Sequence, residues 1–149
     1  MDIKTAEARS RNMSAIKDRD TKPELFLRRL LHANGYRYRL YRKNIPGKPD
    51  LYLAKYNTVI FVHGCFWHQH RGCKYAYMPK SNSSFWHEKL SKNIERDKKN
   101  ALLLTELGFR TIIIWECTIR QIKQEVDKAY LLNKIQSILH SNSLGPYEL

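Results

Sequence analysis

The chain has 149 residues, 42% of them apolar, enough for one domain whose core needs no disulfide staples. Lys and Arg number 27 against 14 acids, a formal charge of +13, which points to a polyanion and first of all to DNA or RNA. An anionic membrane fits less well, because the basic residues do not line one face of a long amphipathic helix.

The longest apolar stretches, such as residues 112–115, are far too short to span a bilayer. Asp2, Lys4, Glu7, Arg9 and Arg11 interrupt the start where a signal peptide needs an apolar segment, so a soluble, cytosolic protein is expected. Residues up to about 19 are polar and basic, an arm with at most a short helix. Thr21 and Glu24 then have the spacing of a capping box, and Pro23 is tolerated in a first helical turn. Leu25, Phe26, Leu27, Leu30 and Leu31 form an apolar face, and Asn34 with Gly35 stops the helix. Residues 36–41 alternate as a strand does, residues 44–49 read as a turn, and residues 50–54 and 58–62 read as two strands. Residues 63–80 have no period but are rich in His, Cys, Gly and aromatics; so long an irregular loop needs an organising agent or a task. Ser84 is placed to cap a long helix reaching Leu107, with Trp86, Leu90, Ile94, Ala101 and Leu104 inside and Lys92, Arg96, Lys98 and Lys99 outside. A buried strand over 109–115, a helix over 126–139 and a frayed tail from Ser141 complete an α/β pattern, a mixed sheet with helices packed on it.

Four features carry chemistry. Cys65, His70 and Cys73 read C-x4-H-x2-C, and Cys117 follows a strand; three thiolates and one imidazole suit structural zinc. His68 in place of His70 is equally feasible by spacing, and unrelated buried thiols are the bland alternative. Asp50, entering a strand beside the strand that ends in Val62 and His63, offers a hard oxygen for Mg²⁺ against a phosphate; Val62 and His63 stand where nucleases of this kind carry a second acid and a lysine. His63 and His68 have the ordinary pKa best suited to moving protons near neutrality. Phe66 and Trp67 in the loop, with Phe85 and Trp86 at the helix start, are either core or wedges able to unstack a weakened base pair.

Together these residues resemble the very-short-patch repair (Vsr) mismatch endonucleases, through RSRNMSAIKDRDT (9–21), PGKPD (46–50), VIFVHGCFWH (59–68), SFWHEKLSKNIERD (84–97) and ELGFRTIIIWEC (106–117). The resemblance implies a restriction-endonuclease-like fold of the PD-(D/E)xK type with a structural zinc. It divides the chain into a basic DNA-binding arm (1–20), an endonuclease domain (21–140) and a flexible tail (141–149). It also implies Mg²⁺-dependent nicking 5′ to the thymine of a T·G mismatch left by deaminated 5-methylcytosine. By the same resemblance Asp50 binds Mg²⁺ with the Val62 backbone carbonyl, and His68 moves a proton. His63 assists near the phosphate, and Glu24 is ancillary. Cys65, His70, Cys73 and Cys117 hold Zn²⁺; Phe66, Trp67 and Trp86 form the wedge. The implied partners are double-stranded DNA with a T·G mismatch, mismatch-repair proteins and a cognate cytosine-5 methyltransferase system, for a monomer acting on the bacterial nucleoid in the cytoplasm. Two departures stand out: Val62 replaces a common threonine, and Arg71 with Gly72 lengthens the His70–Cys73 spacing by one residue, which a glycine in a loop can absorb. A restriction-type nuclease cutting matched sites and a non-catalytic zinc-containing nucleic-acid-binding module are the alternatives. The tryptophans speak against the first, Asp50 with His68 against the second.

Overall fold

The computed structural model describes residues 19–149, so the expected arm lies outside the described residues except for Arg19 and Asp20. Helix α1 (Lys22–Ala33) starts where the capping residues require: the Thr21 hydroxyl accepts a bond from Glu24 N at 3.4 Å. The five-stranded sheet has the order β1 (Arg39–Leu40), β2 (Leu51–Leu53), β3 (Thr58–His63), β4 (Arg110–Trp115), β5 (Tyr147–Glu148). The first three strands are antiparallel neighbours, and β3, β4 and β5 run parallel, giving the mixed sheet expected. The parallel β3–β4 pair needs a long crossover, supplied by the irregular loop and helix α2 (Ser83–Glu106). A short helix α3 (Glu116–Arg120) and helix α4 (Glu125–Leu139) follow β4. Among the described residues no helix is long and apolar enough to cross a membrane.

Alternation along the strands divides the core. Ile60, Ile112 and Ile114 face Leu27 and Leu31 of α1 and Leu131 and Ile135 of α4. Val59 faces the opposite way, toward Leu104 of α2 with Phe61 and Phe109 beside it. Helices therefore cover both faces, and each fully buried leucine or isoleucine contributes about 1.5–3 kcal/mol.

Three expectations are corrected. Residues 36–41 form only the two-residue edge strand β1, because Tyr36 and Tyr38 lean on the main core while Arg39 and Leu40 stay exposed. Ser84 lies inside α2, whose cap is Asn82 in a left-handed conformation (φ +52°). Residues 141–149, expected as a flexible tail, instead supply β5. The Thr111 and Trp115 amides donate to Leu144 O and Leu149 O at 3.0 Å, and Leu149 N donates to Ile113 O at 2.8 Å. Backbone bonding holds this strand together with Tyr147 and Leu149 on the main core, too short a run for hydrophobic periodicity to show.

Candidate active site and metal cluster

A cleft of about 950 Å³ opens between α1, α2 and the ends of β2 and β3, and Glu24, Asp50, Val62, His63, His68 and Asp97 all line it. Asp50 immediately precedes β2, and Oδ2 accepts the Val62 amide at 2.7 Å, a bond that β2–β3 pairing sets up. Burial pushes the Asp50 carboxyl up to about 7; the Val62 amide opposes this shift, and the nearby Glu24 carboxylate adds to it. Glu24 is 4% exposed, and its Oε2 accepts from Asp20 N at 2.9 Å, from the Tyr41 hydroxyl at 3.0 Å and from Arg28 at 3.4 Å. Two mutually repelling carboxylates in an open cleft, Glu24 buried and Asp50 half-buried, form the setting in which a hard divalent cation relieves both burial and repulsion. Val62 turns its side chain toward the main core, so the backbone is the polar part of this residue that the cleft can use.

The histidines separate sharply. His63 is 7% exposed and stacks on His68 with ring centroids 3.7 Å apart. Burial, then the charge of His68, pushes His63 down to about 3, so it is neutral at working pH. His68 Nδ1 lies 2.6 Å from Asp97 Oδ2. A carboxylate at that distance fixes the proton on Nδ1 and leaves Nε2 as the proton acceptor. Between His68 and His70, Gln69 takes a left-handed conformation (φ +48°) and turns the two imidazoles to different sites.

His70 joins the thiols. One ligand atom from each of Cys65, His70, Cys73 and Cys117 lies within 4.8 Å of the others. His70 Nδ1 is 3.7 Å from Cys65 Sγ and 3.4 Å from Cys117 Sγ. A tetrahedral ion at ordinary Zn–S and Zn–N lengths sets such edges at about 3.5–3.8 Å, so this donor set can hold one. The sheet explains the convergence: His63 pairs with Trp115 in parallel register, and Cys65 and Cys117 lie equally far beyond those partners. The extra residue before Cys73 is taken up by a turn, with Gly72 at φ +74° and Cys73 N donating to His70 O at 3.2 Å.

Phe66, Trp67 and Trp86 meet as one aromatic group, with centroids 5.1 Å (Phe66–Trp67), 5.4 Å (Phe66–Trp86) and 5.9 Å (Trp67–Trp86) apart. Asn93 Nδ2 donates to Trp67 O at 3.0 Å and ties the loop to α2. Sequence reading missed two residues here. Tyr77 packs 5.0 Å from Phe66 and is 62% exposed, extending the group outward. Asp97 had a detectable signal: it occupies the inner stripe of α2, between Ile94 and Ala101, where an acid needs a reason.

Comparison with known proteins adds independent findings. A family model described as "DNA mismatch endonuclease Vsr" matches residues 1–74. The type II nicking enzyme V.NmeAIP of Neisseria meningitidis is 48% identical over 80% of this chain and 84% of its own. The DNA mismatch endonuclease Vsr of Escherichia coli is 42% identical over 86% of this chain and 81% of its own. The type II nicking enzyme V.XorIIP of Xanthomonas oryzae is 40% identical over 78% of this chain and 85% of its own.

Proposed function

Since the chain belongs to the family of Vsr DNA mismatch endonucleases, it is a DNA strand-nicking enzyme, and we propose that it nicks one strand 5′ to the thymine of a T·G mismatch, with Mg²⁺ at Asp50. The observation that carries this reading is a histidine–aspartate pair, His68 with Asp97, in one cleft with the acids Asp50 and Glu24. Membership of the family removes the non-catalytic zinc module as a reading.

The chemistry follows from the side chains. His68 Nε2 takes a proton from the attacking water as its oxygen forms the new P–O bond, and Asp97 stabilises the resulting imidazolium. The old P–O bond breaks, and the leaving oxygen takes a proton from solvent. Mg²⁺, when bound, supplies positive charge at the phosphate; Asp50 and the Val62 carbonyl are the groups that would hold it. His63, neutral and stacked on His68, keeps that ring in place. Zn²⁺ held by Cys65, His70, Cys73 and Cys117 would fasten the irregular loop to the end of β4, and takes no part in the reaction. The helix-flanked mixed sheet supports the reading of a restriction-endonuclease-like domain, and the net charge of +13 supports phosphate contacts to double-stranded DNA from residues 1–20.

Recognition rests on the wedge. A T·G wobble stacks imperfectly, so inserting Phe66, Trp67 and Trp86 beside it costs less than at a matched pair. The test is the ratio of nicking rates on otherwise identical T·G and T·A duplexes, with Mg²⁺ and with EDTA. A high ratio that collapses in Trp67→Ala while overall DNA affinity persists is the expected result. A wild-type ratio near one would make the protein a restriction-type nuclease, and activity in EDTA would remove Mg²⁺ from the mechanism.

A further inference from the structure

Glu24 owes its orientation to Asp20 and to two residues outside the quoted motifs, Arg28 and Tyr41. Arg28, one helical turn along α1, approaches Asp20 Oδ1 at 2.9 Å and Glu24 Oε2 at 3.4 Å, and also bonds the Tyr41 hydroxyl. That hydroxyl lies 2.8 Å from Asp20 Oδ1 and 3.0 Å from Glu24 Oε2, so its single proton serves two carboxylates. It also accepts from Asp20 N at 2.9 Å. Four groups from two separate stretches of chain thus meet at one point, on the acid that borders Asp50.

The backbone is distorted to build this joint. Tyr41 has φ +48° and Asp20 φ +56°, in the left-handed region that a bulky side chain such as tyrosine rarely enters. Conformations of this kind cost on the order of 1–3 kcal/mol and collect where function requires a particular placement. Burial raises the Tyr41 hydroxyl to about 12, so it remains a donor throughout the working range.

We propose that Arg28 and Tyr41 are positioning residues for nicking: they hold the Glu24 carboxylate in one orientation beside Asp50. The proposal rests on the reading of Asp50 and Glu24 as the reacting site. Their role differs from simple fold stabilisation because it acts through one carboxylate. Neither side chain lines the cleft, so losing either is expected to affect turnover rather than encounter.

The test uses the full-length protein on a T·G duplex. Tyr41→Phe keeps the ring and deletes only the hydroxyl; the loss of a hydrogen bond to a charged group corresponds to a fall of about tenfold in kcat. KM and the salt dependence of DNA binding stay at wild-type values, and far-UV circular dichroism verifies the fold. Arg28→Met falls at least as far, and Arg28→Lys recovers part of the loss. Tyr41→Phe added to Glu24→Gln causes no further fall, because the carboxylate it orients is gone. In the DNA-free protein, Mg²⁺ titrated alone and followed by calorimetry binds more weakly to Tyr41→Phe. Folded Tyr41→Phe and Arg28→Met proteins with wild-type kcat would overturn the proposal, as would losses that simply multiply with that of Glu24→Gln. Wild-type nicking by Asp50→Ala would overturn the reading of the site itself, a result distinct from both.

Discussion

The acid cleft and the thiol cluster lie at the ends of the same strands, yet they are built to opposite rules. The thiol cluster gathers three sulfurs and one imidazole nitrogen within 4.8 Å of one another, the number of donors that a closed tetrahedral ion would take. The cleft offers Asp50, Glu24 and a backbone carbonyl around an open volume, so any cation there keeps positions for water and phosphate. Trp115 stands between the two, edge-on to His63 at 5.2 Å and stacked on His70 at 4.1 Å. Completeness of the donor set, more than the presence of ligand-type residues, separates the proposed structural site from the proposed reacting site.

The sharpest way to break that contrast is Asp50→Ala. Nicking falls to background while zinc content, by elemental analysis, stays at one per chain and mismatch binding persists. Loss of zinc together with activity would mean that the two sites are one unit. Next come the two histidines that Gln69 turns apart. His68→Ala lowers single-turnover nicking by about 10²–10⁴-fold, the range of a positioned acid–base group, with zinc retained. His70→Ala releases zinc and loosens residues 64–80, read by hydrogen exchange. The reverse pattern would exchange their assignments.

The smallest effect is on pH dependence. The Asp50 carboxyl lies at about 7 in the folded protein against 3.8 ordinarily. Between those values the folded chain binds the extra proton, so this group's contribution to stability falls as pH rises through that window. Mg²⁺ requires the ionised form, so its affinity climbs as pH rises through about 7, and raising Mg²⁺ shifts the acidic limb of nicking to lower pH. Rate profiles at two Mg²⁺ concentrations measure this; a limb that stays fixed would exclude Asp50 as the titrating ligand.

The thiol cluster was largely legible in the sequence, since cysteines are few and C-x4-H-x2-C is compact. The choice between His68 and His70 was not, because it turns on the backbone angle at Gln69. The three longer helices and the two central strands followed from periodicity, which records burial; the short helix Glu116–Arg120 did not. Asp97 was hidden by the charged run Glu95, Arg96, Lys98 and Lys99, although its register with Leu90 and Leu104 gave its inward position. Tyr41 and Asp20 had no sequence signal at all: their joint is made by left-handed backbone and by contacts 21 residues apart. β5 escaped for a different reason, being an edge strand held by amides and carbonyls whose bonding capacity is common to almost every residue.

That edge strand also covers a neighbour. β4 carries Ile112, Ile113, Ile114 and Trp115 in succession, the most adhesive stretch in the chain, and β5 occupies its outer row of amides and carbonyls. Removing residues 141–149 would leave that row bare on an apolar strand, a template onto which other copies could add as in a fibril. A tail that looks dispensable in sequence is therefore expected, by covering that edge, to hold back self-aggregation.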